Sequence, residues 1–233
     1  MPTVLLVRHG RTTANASGVL AGWTPGVTLD DAGRNQANDL ASRVSGLPVS
    51  RVVSSPLLRC VETAQAIADT VGVSPVTDER LAEARYGDWT GQPLSTLART
   101  GLWRVVQNHP SVAVFPGPEG EAMADVAHRA VQAVRDNDAA VADDAGDSGL
   151  WMAVSHGDVI KAVLADALGA HLDLFQRIVV DPCSVSIVRY TAQRPFVVRM
   201  NDTGGSLAGL RRNRRRKRPR SSDADVGGGA GDS

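Results

Sequence analysis

Cysteine is scarce in this chain of 233 residues, which contains two, Cys60 and Cys183. So few cysteines, so far apart, exclude a disulfide framework, and they form no cluster of the kind that ligates a metal. A reducing compartment fits this composition, so we expect a cytoplasmic protein. The start of the chain, Met1–Val7, lacks the pattern of a signal peptide, and no apolar run has membrane-spanning length. We therefore expect no membrane partner.

An excess of either charge is also missing, because 25 Lys and Arg balance 25 Asp and Glu. The charge is nevertheless uneven, since Arg211–Arg220 is a basic block and the rest of the chain is mildly acidic. Residues 204–233 are rich in Gly, Ser, Asp and Arg, which predicts a disordered basic tail after a domain over 1–203. We interpret the block as a solvated tail, with salt-sensitive binding of RNA or DNA as the alternative.

The chain has no phosphate-binding P-loop, no dinucleotide fingerprint and no metal-ligand spacing. What it has is short apolar runs that alternate with helical patterns. The predicted strands are Val4–Val7, Arg51–Ser55, Leu150–Ser155, Ser184–Tyr190 and Phe196–Met200. One predicted helix begins at Asp31, and three others span Leu57–Val71, Glu119–Ala142 and Val159–Leu168. This alternation predicts an α/β three-layer sandwich, with a mainly parallel central sheet and helices on both faces.

Polar side chains follow three of the predicted strands. The first strand ends at Arg8 and His9, the second leads to Arg59 on the following helix, and the third ends at His156. Ligands of open α/β sheets bind beyond the carboxyl ends of the strands, so these four side chains should meet there. Either histidine alone would suit a solvated loop, but two strands that each end in His-Gly favour a shared site. Arginine binds phosphate through a planar, permanently charged fork, so the expected ligand is an anion.

Four segments in this order resemble the signature of the histidine phosphatase superfamily, the phosphoglycerate-mutase-like fold. The resemblance covers residues 3–200, and the segments are Val7–Gly10 with Asn15, Ser54–Thr63, Leu81–Gly91 and Val154–Gly157. It implies an enzyme whose partner is a phosphorylated small molecule and which needs no metal, because arginines supply the positive charge. A bare Arg-His-Gly tripeptide is weak evidence, whereas four ordered segments are strong.

The resemblance implies a role for each matched residue. His9 would attack phosphorus and become a phosphohistidine, while Arg8, Arg59 and His156 offset the charge of the transferring phosphoryl group. Glu83 would protonate the leaving oxygen and then activate water, which requires a partly desolvated carboxyl with a raised pKa. Without the surrounding motif, Glu83 would be interpreted as a surface residue.

The resemblance also assigns a substrate-binding periphery. Asn15 would add a neutral donor, and Gly22 would let the backbone approach the ligand. Trp23 either packs on the substrate or anchors its own loop, and Arg85 and Tyr86 either reach the substrate or pack at the surface. Three further histidines match no motif and are interpreted as structural or solvated: His109, His128 and His171.

The acceptor of the phosphoryl group separates two activities on this scaffold. Water gives a phosphatase, and a rebound intermediate gives a mutase dependent on 2,3-bisphosphoglycerate. The mutases that this chain resembles carry a lysine where it has Leu94 and a second arginine where it has Val105, after Trp103 and Arg104. The loss of both cations favours the phosphatase without a cofactor over the mutase. A non-catalytic phospho-ligand binder has no need of a nucleophile and an acid, which argues against that third interpretation. The sequence does not decide whether the chain forms a homodimer.

Overall fold

A computed structural model describes residues 2–145 and 148–204 and contains one six-stranded sheet. The strands are β1 Thr3–Arg8, β2 Val49–Ser54, β3 Val76–Thr77, β4 Leu150–Ser155, β5 Val185–Tyr190 and β6 Pro195–Asp202. They lie in the order β3-β2-β4-β1-β5-β6. The first four are parallel, whereas β5 and β6 run antiparallel to their neighbours. The predicted tail lies, apart from Gly204, outside the described residues.

Helices cover both faces of this sheet, which confirms the predicted three-layer α/β class. They are α1 Thr13–Ala16, α2 Asp31–Val44, α3 Leu58–Val71, α4 Leu94–Leu97, α5 Gly101–Asn108, α6 Met123–Ala145 and α7 Gly157–Ala167. Alternate residues of β1 enter different cores, because side chains of a strand point to opposite faces. Leu5 packs in the core with α2 and α3, and Leu6 in the core with α6 and α7. None of the described helices has the length and apolarity needed to cross a membrane.

The long helix α6 begins at Met123, four residues after the predicted start at Glu119. The preceding residues pair as extended backbone instead. Gly120 forms a β-bridge with Tyr86, and the Glu121 amide donates to the Arg85 carbonyl at 2.9 Å. Because of these pairings, residues 119–122 are not helical and instead contact the loop of the Leu81–Gly91 segment.

The turn after β1 is packed against the start of α2. Asp30 caps that helix by accepting a hydrogen bond from the Gly33 amide at 2.7 Å. A Cβ atom on Gly10 would lie 2.6 Å from the Gly33 carbonyl oxygen, too close for any side chain. Glycine is therefore required at this position, directly after His9.

Thr63 joins the same turn to α3. Its buried hydroxyl accepts a hydrogen bond from the Gly10 amide at 3.1 Å and donates to the Arg59 carbonyl at 2.7 Å. One side chain thus links the loop after β1 to the first turn of α3, and so fixes the spacing of two residues of the predicted site.

We expect Thr63→Val to lower the free energy of unfolding by about 1–3 kcal/mol, because it leaves the buried Gly10 amide without an acceptor. Urea denaturation measures the loss. Thr70→Val on the exposed side of the same helix is the control, because Thr70 bonds only to its own helix, at Ala66. Equal losses in the two variants would contradict the role given to Thr63.

Candidate active site

The carboxyl ends of three adjacent parallel strands bring the predicted residues together. Arg8 at the end of β1 is in register with Ser155 at the end of β4, and Ser54 of β2 pairs with the preceding Val154. The next residues along the chain, His9 and His156, therefore lie side by side. Their ring centroids are 5.2 Å apart in an edge-on arrangement.

The tautomer of His9 follows from its hydrogen bonds. Its Nδ1 lies 2.7 Å from the Gly10 carbonyl oxygen, and since a carbonyl only accepts, Nδ1 carries the proton. Nε2 then holds the free lone pair and accepts from Arg59 Nε at 3.3 Å. Burial, followed by the charge of Arg59, lowers the pKa of His9 to about 3. The imidazole is therefore neutral near pH 7, with Nε2 available as a nucleophile.

Arg59 lies on the first turn of α3 and is 2% exposed. Besides His9, its guanidinium reaches the Gly22 carbonyl oxygen at 2.9 Å and His156 Nδ1 at 3.2 Å. Arg8 donates from Nη1 to the Val180 carbonyl at 2.7 Å, while its buried Nε has no hydrogen-bond partner within the part of the chain that the structure describes.

The two guanidiniums lack counter-ions. Within residues 2–145 and 148–204, neither Arg8 nor Arg59 forms an ion pair with a carboxylate, although burial makes an unpaired charge costly. A Cβ on Gly157, at the start of α7, would lie 3.6 Å from Arg8 Nε, so this donor faces a helix N-terminus. Two cations and a helix N-terminus together form a site for an anion with several oxygens.

His156 is completely buried beneath this pocket. Its Nε2 lies 2.8 Å from Ser55 Oγ and 3.4 Å from Cys60 Sγ. Burial, then the charge of Arg59, lowers the pKa of His156 well below its ordinary value, so the ring is neutral. Arg59 donates to its Nδ1, which makes Nε2 the protonated nitrogen and Ser55 the acceptor that orients the ring.

Glu83 enters the pocket from the loop that follows a 3-10 turn at Glu79–Leu81. Its Oε2 lies 3.7 Å from His156 Nδ1, and its Oε1 accepts from the Ala84 amide at 3.1 Å. Burial raises the pKa of this carboxyl, and the negative charge of Asp158 raises it further. The group has the environment of a general acid, which must hold its proton until the leaving oxygen needs it.

A second carboxylate, Asp158 on the first turn of α7, contacts the same region and was not among the predicted site residues. Tyr86 donates its hydroxyl to Asp158 Oδ2 at 3.1 Å, and Lys161 Nζ lies 3.3 Å from Oδ1. Tyr86 is 4% exposed and packs edge-on against Phe115, so it is not a surface residue. The position of Asp158, two residues after His156, was the signal available in the sequence.

The remaining predicted residues surround the pocket unequally. Trp23 donates its indole N–H to the Glu83 carbonyl at 2.7 Å, which anchors its loop, and the exposed Arg85 guanidinium lies 3.9 Å above the indole ring. Gly22 has a positive φ of 49° and offers its carbonyl to Arg59. Asn15 is exposed, and its Oδ1 accepts from Thr12 at the start of α1, which leaves its amide nitrogen as the donor.

The three unmatched histidines lie outside this site. His109 and His171 are exposed and both flank Asp173, at 3.8 Å and 3.3 Å. His128 is exposed on α6, beside a groove between α6 and α7.

Comparison with known proteins supports the same family assignment as the motifs. The family model described as histidine phosphatase superfamily (branch 1) matches residues 4–203. A "Probable phosphoglycerate mutase GpmB" of Yersinia pestis is 33% identical over 193 residues, 82% of this chain and 86% of that protein. The structure of Bacillus stearothermophilus YhfR superposes with a TM-score of 0.77 at 25% identity, covering 87% of this chain and 98% of that one.

A third similar structure is the mycobacterial glucosyl-3-phosphoglycerate phosphatase in complex with VO3. It has a TM-score of 0.75 and 23% identity, and the match covers 86% of this chain and 99% of that one. At this identity the likeness concerns the fold.

We expect Asp158→Asn to lower the pKa of Glu83. The substitution removes a negative charge that favours the protonated form, and it leaves the positive charge of Lys161 less neutralised. A carboxyl-carbon NMR titration, assigned with Glu83→Gln, measures the midpoint. Asp166→Asn, on the same helix but paired with Arg135 at 3.1 Å, should leave that midpoint unchanged. A rise or no change with Asp158→Asn would contradict the expectation.

Proposed function

The chain belongs to the histidine phosphatase superfamily (branch 1), and we propose that it is a phosphatase that hydrolyses small phosphomonoesters through a phosphohistidine at His9. The observation that carries the proposal is the Nε2 lone pair of His9, fixed by the Gly10 carbonyl and placed beside the buried Arg59 and the half-buried Arg8, neither of which pairs with a carboxylate among the described residues. A binding protein would need the arginines but neither the unprotonated imidazole nor the buried acid Glu83.

In the first step, His9 Nε2 attacks phosphorus and the bond from phosphorus to the ester oxygen breaks. Glu83 gives its proton to the departing oxygen, so the products are an alcohol, a phosphohistidine and a Glu83 carboxylate. Arg8 and Arg59 offset the negative charge of the phosphoryl oxygens throughout. Arg59 exchanges its hydrogen bond to His9 for one to the phosphoryl group, which releases the attacking lone pair.

In the second step, the Glu83 carboxylate takes a proton from water while the water oxygen attacks phosphorus. The bond between phosphorus and Nε2 breaks, inorganic phosphate leaves, and His9 and Glu83 return to their starting protonation states. The arginines supply the positive charge in both steps, so the proposed reaction requires no metal.

Hydrolysis is preferred over phosphoryl shuttling because two cations of the mutases are missing here, one of them beside Gly18–Trp23, the substrate loop, which resembles the substrate-facing loop of the family. Leu94, in place of the expected lysine, donates its amide to the Gly18 carbonyl at 2.8 Å and so lies beside that loop. Val105 stands in place of the second arginine, and the neighbouring Trp103 packs against Trp89. Fewer cations leave a small acid with less to retain it during reorientation. The mutase is the second candidate, because the Yersinia relative is named as one.

We expect a phosphoenzyme on His9. Wild-type protein mixed rapidly with a ³²P-labelled phosphomonoester and quenched in alkaline detergent should carry label that acid removes. Peptide mapping should place the label on His9, because its Nε2 carries the lone pair that can attack phosphorus. His9→Ala should lose the label and nearly all turnover, whereas His109→Ala should keep both. Label that persists in His9→Ala would refute the assignment.

We also expect hydrolysis to exceed isomerisation. With 3-phosphoglycerate and catalytic 2,3-bisphosphoglycerate in EDTA, free phosphate should accumulate faster than 2-phosphoglycerate, since water meets less competition for the phosphohistidine. If neither forms, a panel of phosphomonoesters should reveal a hydrolysed substrate. Rapid isomerisation with little phosphate release would establish the mutase instead, and loss of activity in EDTA that a divalent ion restores would contradict the metal-free reaction.

A further inference from the structure

The loop that carries Glu83 is held from behind by one arginine of α6, Arg129. Its Nη1 donates to the Arg80 and Ala82 carbonyls at 2.7 and 2.8 Å, and its Nη2 donates to the Glu83 carbonyl at 3.1 Å. Nε and Nη2 also bind the carboxylate of Glu121 at 2.6 and 2.9 Å. A guanidinium has five N–H groups, and these five hydrogen bonds use all of them.

The loop needs such a partner because it has little regular structure of its own. After the 3-10 turn the backbone becomes extended at Ala82, with φ −70° and ψ 159°, and within the described part of the chain it pairs with no strand. The Leu81 carbonyl accepts from Ser155 Oγ at 2.7 Å, and Arg129 serves the carbonyls on either side of it. Carbonyls without partners at this depth would cost free energy and let the loop rearrange.

Glu121 extends the same support to the other side of Glu83. Its Oε2 accepts from the Arg85 amide at 3.2 Å, and its own amide donates to the Arg85 carbonyl at 2.9 Å. The Arg129 and Glu121 side chains are 20% and 16% exposed, so water competes little with these bonds. The carboxylate of Glu121 also offsets the positive charge of Arg129, which would otherwise favour loss of the Glu83 proton.

We propose that Arg129 is a positioning residue that fixes the Glu83 carboxyl where it can protonate the leaving group. The inference rests on the proposed phosphatase function and adds a residue 46 positions away in the sequence. Arg129 acts through the backbone of the loop and contacts none of the reacting groups. Lysine cannot replace it, because an ammonium has three donors and no planar fork.

This role has a chemical signature. A general acid matters most when the leaving group is a poor one, such as an alkoxide, and least when it departs readily as a phenolate. Misplacing Glu83 should therefore slow an alkyl ester far more than an aryl ester. Loss of fold or of phosphoryl binding would slow both esters alike.

The test compares kcat and KM for β-glycerophosphate and p-nitrophenyl phosphate. Arg129→Gln should lower kcat for the alkyl ester at least about tenfold more than for the aryl ester, within the range of general acid catalysis. KM should change little, and Glu83→Gln should show the same selectivity more strongly. Arg135→Gln is the matched control, because Arg135 lies on the same helix and pairs with Asp166 at 3.1 Å. It should leave both reactions unchanged.

Arg129→Lys keeps the charge and should not restore the alkyl ester reaction. If Arg129→Gln fails to fold, the lysine variant carries the test by the same ratio of the two kcat values. Equal fractional losses on both esters, a change confined to KM, or full rescue by lysine would overturn the positioning role. If the wild-type protein releases phosphate from neither ester nor from any other phosphomonoester, the proposed function itself fails. If the wild-type protein hydrolyses the esters but the Arg129 variants lose the same fraction of kcat on both, only the role of Arg129 is refuted.

Discussion

The site is organised by two guanidinium groups, one buried and one half-buried, that no carboxylate of the described residues neutralises. Arg8 and Arg59 meet at the ends of the parallel strands, and their partners are carbonyls and imidazoles. Burial, and then the positive charge of the arginines, keeps both histidines neutral by lowering their pKa values. The two positive charges favour the binding of a negatively charged phosphoryl group. Glu83 is half-buried beside these arginines, and desolvation, then the charge of Asp158, raises its pKa against their opposing effect.

The centre of this arrangement was predictable because each of its residues is fixed by local chain geometry. Strands that end in Arg-His and Ser-His carry those side chains to one edge of a parallel sheet, whatever the rest of the chain does. The fold class followed in the same way from alternating strand and helix patterns. The short pieces were missed because their residues show no periodicity: β3 has two residues, both exposed, and α4 has four.

The supports of the site were not predictable, because they join segments far apart in the sequence. Arg129 sits in an ordinary helical pattern, and its bonds to 80–83 exist only when α6 lies beside that loop. The predicted start of α6 was wrong for a related reason, since Gly120 and Glu121 pair with the loop that carries Glu83. The Glu83 carbonyl accepts from both Trp23 and Arg129, so one oxygen ties the substrate loop to the acid loop.

Burial also acts differently on two neighbouring side chains that could each serve as a nucleophile. The fully buried Cys60 lies 3.4 Å from His156, and thiols serve as nucleophiles in many enzymes. A thiol must become an anion to react, and burial raises the pKa of Cys60 to about 12. An imidazole reacts as the neutral species, which the same burial favours in His9. In the proposed reaction, burial therefore keeps the imidazole in its reactive neutral form and the thiol in its unreactive protonated form. The enzyme should then withstand peroxide and alkylating agents that inactivate phosphatases with a cysteine nucleophile.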